Sequence, residues 1–441
     1  MNLYIDPGTG SMLFTILLGL LGTAGYLLRK VFVKMRFLFS GGGEKASDEE
    51  RIPYAIFTDS KRYWNTFEPV CDEFEKRGLP MVYMTASPDD PALEKKYEHV
   101  QCRFVGEGNH AYARMNRLKA DILLSSTPGL DVYQWKRSKG VKYYVHILHA
   151  TTDPQTYRMF GLDYYDSILL SGDYQGEQIR EIEKLRNLPP KEFAMVGLPY
   201  LDRMQARADA APPVPDHPLT VLISPSWGPN CILNRYGAKM VEAALATGYH
   251  IIYRPHPQYF VTEKELLQDL MEKYPASDQL EWNTDNDNFE VLRRSDIMIS
   301  DHSGIMFDFA LVFGKPVIYA DTSFDDSPYD AWWVEGERWM FQVLPKLGKQ
   351  LTPDNLPHLK ELIDDVLATP ALQENLEEVR NASWVPRGNS AELVADYLVN
   401  KEKELTEKER AEKENAEKER NGKEPAKGRN ENRKKAEKQE G

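Results

Sequence analysis

Two successive runs of strand–helix alternation, parted by a proline-rich joint, limit what this chain can fold into. In the first run, Tyr54–Thr58, Met81–Thr85, Asp121–Ser126, Val141–Leu148 and Ser167–Gly172 are short apolar segments of strand length. Stretches of helical spacing separate most of them, as with Trp64, Phe67, Cys71 and Phe74. A polar helix is predicted over Asp173–Arg186. Ala208–Pro218 then gathers four prolines among small residues, the composition of an interdomain linker. In the second run, strands over Leu219–Ser226, His250–His256, Asp296–Asp301 and Lys315–Asp321 alternate with helices over Arg235–Ala246, Thr262–Tyr274 and Ile305–Phe313, the last stopped by Gly314. Repeated βα units make parallel sheets covered on both faces. The pattern predicts an α/β protein with two Rossmann-like domains, residues 50–207 and 219–398, facing a cleft.

Both ends differ from this body. Met12–Leu28 carries no charge, and Arg29, Lys30, Lys34 and Arg36 follow it. A span of that length can cross a bilayer, and basic residues on its far side put the body in the cytoplasm. A cleaved signal peptide would carry its positive charges before the apolar run. The expectation is therefore a single-pass anchor at the inner membrane over residues 1–40, with a hairpin or in-plane interfacial helix as the alternative. Residues 399–441 are almost entirely Lys, Glu, Arg, Asn and Ala without an apolar face, which predicts a solvated helix or a disordered tail.

Charge and cysteines exclude several functions. The net charge is -13. The tail from Lys401 holds 14 Lys/Arg and 12 Asp/Glu, leaving 41 and 56 in the body. An acidic body lacks the basic surface that nucleic acid requires. Cys71, Cys102 and Cys231 are far apart and odd in number, so they form neither a disulfide framework nor a zinc pattern. With no HExxH, GxSxG or P-loop motif, neither a metal nor a cofactor is expected. Asp285-Asn286-Asp287 reads as a polar loop.

The chemistry is concentrated where strands end. Ligands in open α/β sheets sit outside the carboxyl ends of the strands. Ile251-Ile252-Tyr253 runs into Arg254 and His256, stiffened by Pro255 and Pro257. An Arg there can fork onto phosphate oxygens, and a rigid His beside it can donate to a leaving phosphate. Ile297-Met298-Ile299 runs into Ser300, Asp301, His302, Ser303 and Gly304, after which a helix begins. Its first amides form an anion site, and Gly304 allows close approach. Asp308, one turn further, is placed to accept hydrogen bonds from a ribose or polyol. Ser224 and Ser226 belong to a neighbouring strand-end loop. In the first half, strand alternation puts His146 and His149 on opposite faces. His149, followed by small polar residues, is the one expected to face the cleft as a general base. Asp153 would either orient His149 or cap the next helix.

RPHP, then SDHSGIMFDF some forty residues on, then GKPVIY, resembles the CDP-glycerol glycerophosphotransferase family, the teichoic-acid primases and polymerases. The likeness covers roughly Tyr144 to Tyr319. It implies a glycosyltransferase-B type fold at the inner membrane face. It implies that Arg254, His256, Ser300, Asp301, Ser303 and Gly304 cradle the diphosphate of a CDP-linked donor, and that His149 corresponds to the catalytic base. The chain departs from the family in HATTDP, where Ala150 replaces a glycine and no lysine follows, and at Gly304, which replaces a serine. The function so implied is transfer of a polyol phosphate from a CDP-linked donor to a lipid-linked or glycan acceptor. The alternatives are a transferase of the same fold using a nucleotide-sugar, or a non-catalytic nucleotide-binding scaffold.

Overall fold

A computed structural model describes residues 51–285 and 287–422, together with Val31 and Met35. The expected anchor, Met12–Leu28, lies outside the described residues. Among those described, no helix is long and apolar enough to cross a membrane.

The first run folds into seven parallel strands: β1 (Ile52–Thr58), β2 (Met81–Thr85), β3 (Val100–Phe104), β4 (Ala120–Ser125), β5 (Val141–Ile147), β6 (Ser167–Leu170) and β7 (Glu192–Met195), in the order β3-β2-β1-β4-β5-β6-β7. The second gives six parallel strands: β8 (Thr220–Ile223), β9 (His250–Tyr253), β10 (Leu280–Trp282), β11 (Ile297–Ser300), β12 (Val317–Ala320) and β13 (Gly348–Leu351), in the order β10-β9-β8-β11-β12-β13. In each sheet the first strand lies inside, and the order reverses beside it, between β1 and β4 and between β8 and β11.

Central strands are apolar because helices cover both faces. In the second sheet, Val221, Ile223, Ile251 and Ile297 pack on one side against Met240, Val241, Leu267 and Ile363. Leu222, Ile252 and Met298 pack on the other against Phe307, Phe309, Leu344 and Trp384. The period-two register of the strands sets this division. Each fully buried side chain of this size stabilises by about 1.5–3 kcal/mol.

The chain crosses back after the helix Ala371–Ser383. Val385 N–H donates to Ser171 O at 2.9 Å. Asp202, which precedes the second sheet, accepts from Trp384 Nε1, Gly388 N and Ser390 N, each at 2.8 Å. Gly172 is required at this crossing, since a Cβ there would lie 2.2 Å from Ala382 O. Residues from 396 onward form a unit of their own and continue the helix Ser390–Gly422, so the charged tail is helical to Gly422.

Asp153 joins the two halves. The sequence left it either orienting His149 or capping the helix that follows. It does neither: no side-chain cap bond forms at Pro154–Thr156. Instead the buried carboxylate accepts from Trp339 N at 2.7 Å and Met340 N at 3.0 Å, at the start of the helix Trp339–Leu347 behind β12. Gln178 Nε2 adds a third bond at 2.5 Å. A carboxylate from one half thus caps a helix of the other, where the helix dipole favours negative charge.

Candidate active site

Both points of reversal carry polar strand-end loops. Beyond β1 come Ser60, Lys61, Arg62 and Tyr63; beyond β4, Ser126; beyond β5, His149. Beyond β8 comes the loop holding Ser224, Ser226 and Trp227; beyond β11, Asp301 to Gly304. The two sets approach one another, since a Cβ on Gly304 would stand 3.8 Å from Thr152 Cγ2. A crevice at the topological switch point is where this class of sheet binds ligands.

On the first side, His149 is half-buried. Its Nδ1 lies 3.0 Å from Ser126 Oγ and 3.1 Å from Tyr157 Oη, and the Tyr63 ring meets it edge-on at 4.9 Å. Burial, reinforced by the nearby Arg62 guanidinium, pulls its pKa down to about 4. The imidazole is therefore neutral across the physiological range and can accept a proton. The expected separation of His146 and His149 onto opposite faces does not hold. β5 ends at Ile147, so strand alternation stops before His149, and Tyr157 Oη also lies 3.4 Å from His146 Nε2. His146 is fully buried.

On the second side, Arg254 is half-buried and donates to Asn283 Oδ1 at 2.5 Å. His256 Nδ1 accepts from Gln258 N–H at 3.1 Å. Its proton must then sit on Nε2. Burial first, then Arg62 and Arg254, lower the pKa of this ring, so it is a neutral donor.

The SDHSG turn divides its duties. Ser300 and Asp301 were expected among the groups cradling a diphosphate, and the structure corrects this for both side chains. Each is buried. Ser300 Oγ donates to Ser224 O at 2.5 Å. Asp301 accepts from Ser226 N at 2.9 Å, Ile232 N at 3.0 Å and His302 N at 2.8 Å. Its carboxylate is spent on backbone amides and fastens the β8 loop to the β11 turn; a second anion gains nothing from it. Ser226 Oγ is likewise tied, 2.9 Å from His302 Nε2. Ser224 is buried beneath the turn and contributes its carbonyl. Ser303 and Gly304 remain partly exposed where the helix Ile305–Phe313 starts, and first-turn amides of a helix have no intrahelical acceptor.

Asp308 lies on the same helix. Tyr200 Oη donates to it at 3.4 Å, and burial pushes its pKa from 3.8 up to about 7. A carboxyl whose folded pKa exceeds its unfolded value gives stability that is complete below the unfolded pKa and is lost as pH rises through the folded one. Asp308→Asn is therefore expected to leave stability nearly unchanged near pH 4 and to raise it by roughly 4 kcal/mol at pH 8. Urea melts at the two pH values measure this; equal differences at both would contradict it. The Asp285–Asp287 stretch holds no metal cluster among the described residues. Asp287 pairs with Arg207 at 2.7 Å and Asp285 accepts from Asn283 at 2.9 Å.

Sequence reasoning missed Arg62, Tyr63, Ser126, Tyr157 and Trp227. Arg62 is exposed, donates from Nε to Ser60 Oγ at 3.2 Å, and has no carboxylate partner among the described residues. Its charge acts on both His149 and His256. Trp227, half exposed, tilts beside the His256 ring at 6.3 Å. The available signal was topological: the loop after the first strand of such a sheet opens onto the switch point.

Residues 170–331 match the family model of CDP-Glycerol:Poly(glycerophosphate) glycerophosphotransferase. Among solved structures, a variant of the wall teichoic acid polymerase TagF soaked with CDPG aligns with a TM-score of 0.55 at 16% identity, over 88% of this chain and 99% of that one. Another TagF structure gives 0.53 at 16%, over 86% and 99%. The S. aureus MnaA–UDP structure gives 0.54 at 13%, over 80% and 97%. At such identities the likeness shows the fold, a two-lobed glycosyltransferase-B architecture. No curated protein matches the sequence. Through residues 170–331 the chain is a glycerophosphotransferase-like transferase, similar there to the CDP-glycerol:poly(glycerophosphate) glycerophosphotransferase family.

Proposed function

We propose that the protein moves glycerol phosphate from CDP-glycerol to a hydroxyl of a lipid-linked or glycan acceptor at the inner membrane face, as a step in teichoic acid synthesis. The observation that carries this reading is that one guanidinium, Arg62, acts on two neutral histidines of opposite use, one from each half. His149 can accept a proton, and His256 has its proton fixed on Nε2. The acceptor hydroxyl gives its proton to His149, and its oxygen bonds to the β-phosphorus. The bond from that phosphorus to the bridging oxygen breaks, and the electron pair leaves with CMP. Arg254, His256 Nε2–H and the amides at Ser303 and Gly304 balance the charge that gathers on the departing phosphate. Asp308 with Tyr200 offers a polar site for the ribose or glycerol hydroxyls. Holding both substrates in line supplies much of the acceleration.

The membrane part of the reading rests on Met12–Leu28 and the basic residues behind it. For the donor, incubation with CDP-glycerol, CDP-ribitol, UDP-glucose and UDP-N-acetylglucosamine, each with membrane acceptor extract, is expected to give CMP from the CDP-polyols alone, read by mass spectrometry. UDP release from a sugar donor, with CDP-polyols inert, would replace this reading with that of a glycosyltransferase.

A further inference from the structure

We propose that Ser126, Tyr157 and His146 form a hydrogen-bonded chain that fixes the tautomer of His149, so that Nδ1 carries the proton and Nε2 keeps a lone pair for the acceptor hydroxyl. The use of that lone pair rests on the transferase reading; the tautomer itself does not.

The chain is continuous. His149 Nδ1 lies 3.0 Å from Ser126 Oγ and 3.1 Å from Tyr157 Oη. Tyr157 Oη is also hydrogen-bonded with Ser126 and stands 3.4 Å from His146 Nε2. The Tyr157 ring packs edge-on against both imidazoles, at 5.4 Å from His146 and 6.0 Å from His149. Each hydroxyl has one proton to give, so the His149 proton is set by whether Nδ1 donates to a hydroxyl or accepts from one. Running inward, His149 Nδ1–H donates to Ser126 Oγ, the serine donates to Tyr157, and the tyrosine donates to His146 Nε2. Running outward, His146 Nε2–H donates to Tyr157, a hydroxyl donates to His149 Nδ1, and the His149 proton is forced onto Nε2. The outward form has no base.

Three features select the inward form. His149 Nε2 has no hydrogen-bond partner among the described residues, so no neighbouring acceptor holds a proton there. The exposed Arg62 guanidinium acts on this ring, and a cation favours a lone pair over an N–H facing it. His146 is completely buried and held neutral, so its Nε2 can accept the tyrosine proton. At the far end His146 Nδ1 is buried with no partner, whichever way the chain runs. Most base histidines are oriented by a carboxylate; here the orienting groups are neutral, so the base stays uncharged until substrate arrives. Tyr157, Ser126 and His146 are positioning residues, since none faces the reacting atoms directly.

The test is nitrogen NMR on the full chain labelled with 15N-histidine, with His146 and His149 assigned from the missing signals of His146→Gln and His149→Gln. The expected spectrum at neutral pH shows the proton of His149 on Nδ1 and a pyridine-type Nε2. Tyr157→Phe is expected to move that proton to Nε2 and to lower kcat about a hundredfold, with KM for CDP-glycerol within about twofold. Ser126→Ala gives the same readout by removing the other link, should Tyr157→Phe fold poorly. An Nε2-protonated His149 in the unmodified protein would overturn the proposal. So would unchanged tautomer and kcat in both variants. If the unmodified protein releases CMP from no CDP-polyol, the transferase reading fails, and the NMR result still decides the chain.

Discussion

Replacing His149 by glutamine is expected to reduce CMP release from CDP-glycerol by about a thousandfold, or roughly 4 kcal/mol in the barrier, with thermal melting little changed. Glutamine fills similar space and can still bond to Ser126 and Tyr157, but it cannot take a proton. A pKa of about 4 makes His149 a weak base in the empty site. Part of that depression comes from Arg62, and a bound diphosphate offsets this charge. The base should therefore strengthen when donor binds. The acid limb of kcat/KM, which reports the unliganded protein, is expected near pH 4, and the acid limb of kcat at higher pH. Coincident limbs would show that donor does not reach the field of Arg62. A glutamine variant retaining near-normal turnover would remove His149 from the chemistry.

The second large effect concerns Asp153. Its carboxylate is fully buried and holds the first amides of the helix Trp339–Leu347 from the opposite half of the molecule. Around it, Tyr174 stacks on Trp339 at 3.9 Å, and Trp339 stacks on Phe307 at 5.8 Å. Phe307 lies on the helix that begins at Ser303 and Gly304, so this cap is linked by packing to the anion site. Asp153→Ala leaves two helix amides and Gln178 without their acceptor, at a cost of about 3 kcal/mol. A lowered melting temperature and a fall in kcat/KM of about tenfold are expected together, because the two halves must hold His149 and Ser303 in register. Asp153→Asn should lie between, since it keeps one acceptor oxygen and loses the charge. An alanine variant that melts and turns over normally would show that the cap does not set the cleft.

The central strands were legible because burial on both faces leaves uninterrupted apolar runs, as at Leu219–Ile223 and Ile297–Ile299. The four strands that escaped, β3, β7, β10 and β13, are the four sheet edges. An edge strand is covered less completely; Gln101, Arg103 and Glu192 stand where a central strand has valine or isoleucine. The second-half motifs put Arg254, His256 and the Ser303 turn at strand ends, where the structure has them, because a cation or glycine after an apolar strand is locally unusual. Ser300 and Asp301 were misread for a physical reason: sequence shows that a polar side chain occupies a turn, but not whether it faces ligand or braces the backbone. Arg62 and Tyr157 were invisible for another. Their importance comes from loops that only the sheet order brings together, and neither sits in a distinctive phrase. Asp153 was placed near a helix start correctly, but the helix it caps lies nearly two hundred residues away.

The measurement that tests the central claim most directly is CMP release from CDP-glycerol by His256→Ala beside the unmodified protein. The variant removes the one imidazole whose proton is fixed on Nε2 by Gln258 and leaves the buried sheet intact. The account expects release to fall below about a thousandth of the original rate, with an unchanged melting temperature. Release at the original rate would contradict it, because the leaving phosphate would then be served by some other part of the molecule.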